Sequence, residues 1–178
     1  MTWNRWAWDD WARRAVEDYR AVQKPRELAE LGRLIATHPI YEAVEIGTLY
    51  GGTARALGEL ALKVATIDID MKQLTSSTEA ITYMEMKSFD AVDKVGPCDL
   101  LFIDGSHAYE DVAWDYRHYR DKVRPGGLIV LHDIVTHAPE AHCEVHRLWQ
   151  EVQEGDEVTI SIVDPRGGPW GGIGVVIA

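Results

Sequence analysis

The chain has 178 residues, enough for one domain with a single sizeable core and too few for two independent ones. Hydrophobic residues at 46% and charged residues at 26% are ordinary globular values that exclude general disorder. Against 29 Asp plus Glu stand 18 Lys plus Arg, and a net charge of -11 disfavours nucleic acid and anionic lipid as partners.

The apolar runs are strand-sized, as in LLFI and LIVL, so none is expected to span a bilayer. The start MTWNRWAWDD has no basic-then-apolar leader, and Cys98 and Cys143 lie far apart. Together these point to a cytoplasmic protein with free thiols.

From Asn4 to about Val22 the residues favour helix, with Trp3, Trp6, Trp11, Ala15, Tyr19 and Val22 along one stripe. Pro25 interrupts it, and a second helix is expected from Arg26 to Thr37, with Leu28, Leu31, Leu34 and Ile35 inward. Residues 1–39 thus read as N-terminal helices that pack on the body, cover a site or meet a second copy. Four tryptophans at positions 3, 6, 8 and 11 exceed what one stripe buries, which points to a lid or a homo-oligomer contact, while core packing suffices for any single ring.

From Ala43 onward short apolar runs alternate with helical stretches: AVEIG, a helix from Thr53, VATIDID, another helix, ITYMEM, then CDLLFIDG. A helix from Ala108 to Val123 follows and is stopped by Pro125-Gly126-Gly127. The strand LIVLHD and a helix from Glu140 to Val152 come next. The closing runs VTISIV and IGVVIA are joined by the turn-rich DPRGGPWGG and should pair antiparallel. The whole predicts an α/β, Rossmann-like doubly wound sheet, mostly parallel with an antiparallel C-terminal hairpin and helices on both faces, in one compact domain. Its ligand site should lie beyond the carboxyl ends of the strands, where the strand order reverses.

The stretch Glu45-Ile46-Gly47-Thr48-Leu49-Tyr50-Gly51-Gly52-Thr53 closes the first strand and opens a helix, so backbone amides can approach a ligand and the helix start favours an anionic group. The spacing is not the G-x-G-x-x-G of dinucleotide binders. Asp68 ends the next strand, where a carboxylate can accept both hydroxyls of a ribose, and Asp70 behind it reads as a solvated acid.

In order along the chain, EIGTLYGGT, TIDID, DLLFIDGSHAYEDV and RPGGLIVLHD resemble the successive motifs of class I S-adenosylmethionine-dependent methyltransferases. The likeness covers about residues 40–178 and is nearest the small-molecule and sugar O-methyltransferase branch, including cephalosporin hydroxylase-like and catechol-type relatives. It implies a cofactor site in which Gly47, Gly51 and Gly52 line the methionine moiety, Glu45 orients the loop and Thr53 lies near the amino-acid carboxylate. Asp68 would hold the ribose, and Ser88 matches the adenine side.

Asp104 resembles the acid that binds a divalent cation in metal-dependent members, and His132 and Asp133 stand where those members supply further ligands. His132 replaces an acid, which leaves three readings open: a softer ion such as Mn2+, Fe2+ or Zn2+ instead of Mg2+, a histidine that does not ligate, or no metal. His107 matches the catechol-type catalytic lysine and suits a general base, with Asp104 beside the reacting carbon. His137 is placed to touch an acceptor, and Cys143 and His146 have a spacing that would put two donors on one helix face. The activity implied is methyl transfer to a hydroxyl of a small-molecule acceptor. The same sheet also serves a cephalosporin hydroxylase-like reaction or a non-catalytic S-adenosylmethionine-binding module.

Overall fold

A computed structural model describes residues 5–178. Helix α1 (Arg5–Glu17) and helix α2 (Pro25–Ile35) precede strand β1 (Glu42–Ile46), helix α3 (Gly52–Leu57), strand β2 (Lys63–Asp68), strand β3 (Ile81–Glu85) and the short helix α4 (Ser88–Ala91). Strand β4 (Cys98–Ile103), helix α5 (Tyr109–Tyr119), strand β5 (Val123–His132), helix α6 (Val145–Glu154), strand β6 (Val158–Ile162) and strand β7 (Ile173–Ile177) complete the order.

The strands form one sheet in the order β3-β2-β1-β4-β5-β7-β6. The first five run parallel, while β7 pairs antiparallel with both β5 and β6, as the helix-free connection between the last two requires. Successive side chains of β4 feed opposite faces: Leu100 and Phe102 join the core under α1, α2 and α3, whereas Leu101 and Ile103 join the core under α5 and α6. A strand buried on both sides needs an unbroken apolar run, which CDLLFI supplies.

Several expectations are corrected. The first helix ends at Glu17, not Val22, and Arg20 then adopts a left-handed φ of 68, turning the chain into a strap that crosses the start of α3. Trp8 and Trp11 are both buried, meeting edge to face at 5.7 Å over Gly32, so these two rings belong to the core. Val22, expected on the buried stripe, is exposed. Trp3 and the Trp6 side chain lie outside the described residues.

The helix expected between β2 and β3 does not form. Its hydroxyl-rich centre instead bonds the glycine loop, with the Thr75 and Ser76 amides donating to Tyr50 O at 3.1 and 3.0 Å. Pro125-Gly126-Gly127 does not lie beyond a helix but inside β5, where the register with β4 shifts and Gly126 takes a φ of 79. The last helix begins at Val145, five residues later than expected at Glu140, after a single 3-10 turn over Pro139–Ala141.

At the start of α2, Lys24 and Glu27 are buried and clamp the β6–β7 loop. Glu27 accepts the Asp164 and Gly172 amides at 2.8 and 2.9 Å, and Lys24 donates to Trp170 O. Both charges are therefore paired and hydrogen-bonded, as buried ions must be.

Candidate functional site

The strand order reverses between β1 and β4, and the chain segments leaving these two strands touch. Gly47, after β1, has a φ of 96, and a Cβ there would fall 2.0 Å from the Asp104 carbonyl oxygen, so only glycine lets the two strand ends meet. Asp104 follows β4 directly, its amide donating to Ile46 O at 2.8 Å. A cavity of about 1140 Å³ opens here, lined among others by Gly47, Gly52, Thr53, Asp68, Ser88, Asp104, His107, His132 and Asp133. It has room for a nucleoside-sized ligand and a second small molecule together.

Nine of the eleven residues expected from sequence to bind the cofactor or a metal or to catalyse therefore share one cavity. Gly51 sits behind the loop, in a left-handed turn under Leu74 and Ser76. Glu45 is fully buried below it, its Oε2 accepting from Thr66 Oγ1, which lies 2.6 Å from Thr48 Oγ1. Burial pushes the Glu45 carboxyl up to about 8. Asp68 Oδ2 accepts the amides of Thr48 and Leu49, both at 2.9 Å, so this acid also holds the glycine loop in shape.

Beside the glycine turn lies a compact charged group. His132 Nδ1 lies 3.0 Å from Asp104 Oδ1 and 3.3 Å from Asp133 Oδ2, and His107 Nε2 lies 3.2 Å from Asp133 Oδ2. Burial opposes ionisation of Asp104 and His132, but their mutual attraction prevails, lowering the acid and raising the imidazole. His107 is also raised, first by its interaction with Asp104 and against burial, so it gives up its proton only above the usual histidine range. Asp133 holds a left-handed φ of 62, strained for a non-glycine residue.

The ligand atoms of Asp104, His132 and Asp133 all lie within 4.8 Å of one another. Two carboxylates and an imidazole, with His132 Nε2 buried and lacking a partner among the described residues, fit a divalent cation. His137 is not available to an acceptor: its ring lies 3.2 Å from Asp133 Oδ1, and Gly171 N donates to His137 Nε2, holding the β6–β7 loop. Nor do Cys143 and His146 share a helix face, because Cys143 precedes α6 and its thiol turns toward Asp133.

Four residues at the site carry no motif. Gln23, on the strap, is buried and bridges two lining residues, donating to Asp104 Oδ2 at 2.6 Å and accepting from Thr53 Oγ1 at 2.8 Å. Phe89 and Trp114 pack at 5.0 Å beside Ser88, and Asp115 beneath them is buried, its Oδ1 without a partner among the described residues and its carboxyl pushed up to about 6 by burial. Asp115 was visible as an acid inside the apolar stripe of Val112, Tyr116 and Tyr119, whereas Gln23 left no local trace.

Solved structures share this fold. The O-methyltransferase TomG from Streptomyces achromogenes, solved in complex with SAM, is 18% identical with a TM-score of 0.68, over 96% of this chain and 89% of that one. MycE methyltransferase from the mycinamycin biosynthetic pathway, in complex with Mg, SAH and mycinamycin VI, is 17% identical with a TM-score of 0.70, over 96% of this chain and 54% of that one. The N-methyltransferase NodS from Bradyrhizobium japonicum WM9 is 12% identical with a TM-score of 0.62, over 83% and 92%. No curated protein matches the chain. Residues 44–134, more than half of the sequence and spanning every strand end that lines the cavity, match the family model of the methyltransferase domain, and the chain belongs to that family.

Proposed function

We propose that the protein is an S-adenosylmethionine-dependent O-methyltransferase acting on a hydroxyl of a small molecule or sugar. The observation that carries this is that a single cavity brings the glycine loop and Asp68 together with the Asp104, His107, His132 and Asp133 group. TomG and MycE, an O-methyltransferase and a methyltransferase of the same fold, lend support.

When bound, S-adenosylmethionine supplies an electrophilic sulfonium methyl. The chain's own residues hold it: Gly47, Gly52 and Thr53 face the amino-acid end, Asp68 accepts from the ribose and Ser88 lies at the adenine side. Gln23 fixes the Asp104 carboxylate and the Thr53 hydroxyl relative to each other, so these two groups keep their spacing. His107 Nε2, partly open to solvent, takes the acceptor's hydroxyl proton once deprotonated. Asp104, His132 and Asp133 would hold a divalent cation, which supplies Lewis-acid lowering of a hydroxyl pKa.

The test is calorimetric titration with S-adenosylhomocysteine, followed by mass spectrometry of a panel of hydroxylated acceptors with and without chelator. Binding and a mass gain of one methyl are expected. A second reading, cephalosporin hydroxylase-like oxidation, is favoured by two imidazoles that both approach Asp133 Oδ2, a set that suits Fe2+. Oxygen consumption dependent on a 2-oxo acid would establish it in place of methyl transfer.

A further inference from the structure

Cys98 and Cys143 are both free and buried, but their surroundings differ. Cys98 begins β4 inside the apolar core. Cys143 packs against the same core but lies behind His107 and Asp133, which line the cavity, brought there by two features of its loop. His142 before it takes a left-handed φ of 49, unusual for a non-glycine residue, and Glu144 after it donates its amide to His107 O at 2.8 Å. The thiol comes to 3.8 Å from the Asp133 carbonyl.

The ligand atoms of His107, Asp133 and Cys143 consequently all lie within 4.8 Å of one another. Asp133 and Cys143 are buried, while His107 is 42% exposed at its side chain, so the group is walled on one side and open on the other. One sulfur, one imidazole nitrogen and one carboxylate oxygen, with a fourth direction facing the cavity, form the donor set of an open tetrahedral zinc site. The thiolate is the selective element, since Mg2+ takes oxygen ligands and avoids sulfur.

We propose that His107, Asp133 and Cys143 form a binding site for a thiophilic divalent cation of the Zn2+ and Co2+ class. Nothing in methyl transfer requires this site. It shares Asp133 with the Asp104, His132 and Asp133 set, so a single ion takes one set or the other. As the metal–sulfur bond forms, the thiol proton leaves to solvent. In the context of the proposed function, an ion on His107 Nε2 occupies the lone pair that would accept the acceptor's proton, so the soft ion opposes the base.

The test uses the purified protein and Co2+ alone, followed by absorption. The expected result is a thiolate-to-cobalt charge-transfer band in the near ultraviolet, saturating at one equivalent and bleached by Zn2+ but not by Mg2+. The band is lost in Cys143→Ser and kept in Asp104→Asn, and His107→Ala, at a partly exposed position, weakens cobalt binding at least tenfold. Absence of cobalt binding, binding without the band, or a band that survives Cys143→Ser overturns the proposal. Titration of the same sample with S-adenosylhomocysteine reads the methyltransferase assignment separately, since that ligand needs none of the three donors.

Discussion

Gln23 and Asp104 meet at 2.6 Å across 81 positions of sequence, the amide of a strap residue donating to the acid at the end of the central strand. The same side chain accepts from Thr53, so it spans the cavity floor with both of its polar ends satisfied. Gln23→Leu keeps the approximate volume and leaves Asp104 Oδ2 and the Thr53 hydroxyl without this partner. The expected loss is about 1–3 kcal/mol of unfolding free energy. Urea denaturation measures it, and an unchanged midpoint and slope would show that the amide contributes nothing.

Asp68 serves the loop and the ligand together, because Oδ2 already accepts two amides while Oδ1 has a single 3.2 Å contact with Asp70 N. Asp68→Asn retains a carbonyl oxygen for the loop and loses the charge. Stability should hold, whereas affinity for S-adenosylhomocysteine should fall by about 1.5–3 kcal/mol, the value of a charge-assisted hydrogen bond. Calorimetry with equal affinity for variant and wild type would remove Asp68 from the ribose.

Glu45 gives a pH signature. Its carboxyl is raised from 4.5 to about 8 by burial, so the folded state keeps a proton that the unfolded chain has released. Stability from this group is full below about 4.5, declines as pH rises to about 8 and is constant above. Glu45→Gln removes the decline. Relative to wild type, the variant should gain stability across that interval, by an amount of the order of a few kcal/mol, in thermal melts taken at successive pH values. Parallel curves would place the proton elsewhere.

Gly52 lies under the strap, where a Cβ would come within 2.2 Å of Ala21 N and 2.6 Å of Tyr19 O. Backbone cannot yield as a side-chain tip does, so Gly52→Ala should cost about 1–3 kcal/mol or more and expose residues 18–22 to protease. Limited proteolysis followed by mass spectrometry checks the site of cleavage.

Much of the architecture was legible because each parallel strand is an apolar run stopped by an acid or a glycine, as in VATID and CDLLFID. The cofactor-side residues follow, since a strand end fixes the side chain that leaves it. Legibility failed where distant backbone competes with local preference. Residues 69–80 contain enough helix formers to predict a helix, yet the Thr75 and Ser76 amides at its centre are claimed by Tyr50 O. Pro125-Gly126-Gly127 reads as a helix stop, but the glycines accommodate an irregular β5 against Asp99 O and Ala178. Gln23 and Cys143 belong to loops whose partners, Asp104 and His107, are settled by folding alone.

The crossing at Gly52 has a bearing on motion. With hydrogen the only substituent that fits beneath Ala21, the glycine turn cannot lift while the strap stays down, and breathing of the two becomes one event. Amide exchange at Ala21, bonded to Ala15 O, and at Arg55, bonded to Gly51 O, should then report a common opening, with ligand entry gated by detachment of a seven-residue span over 18–24 and not by the flexibility of the glycines themselves.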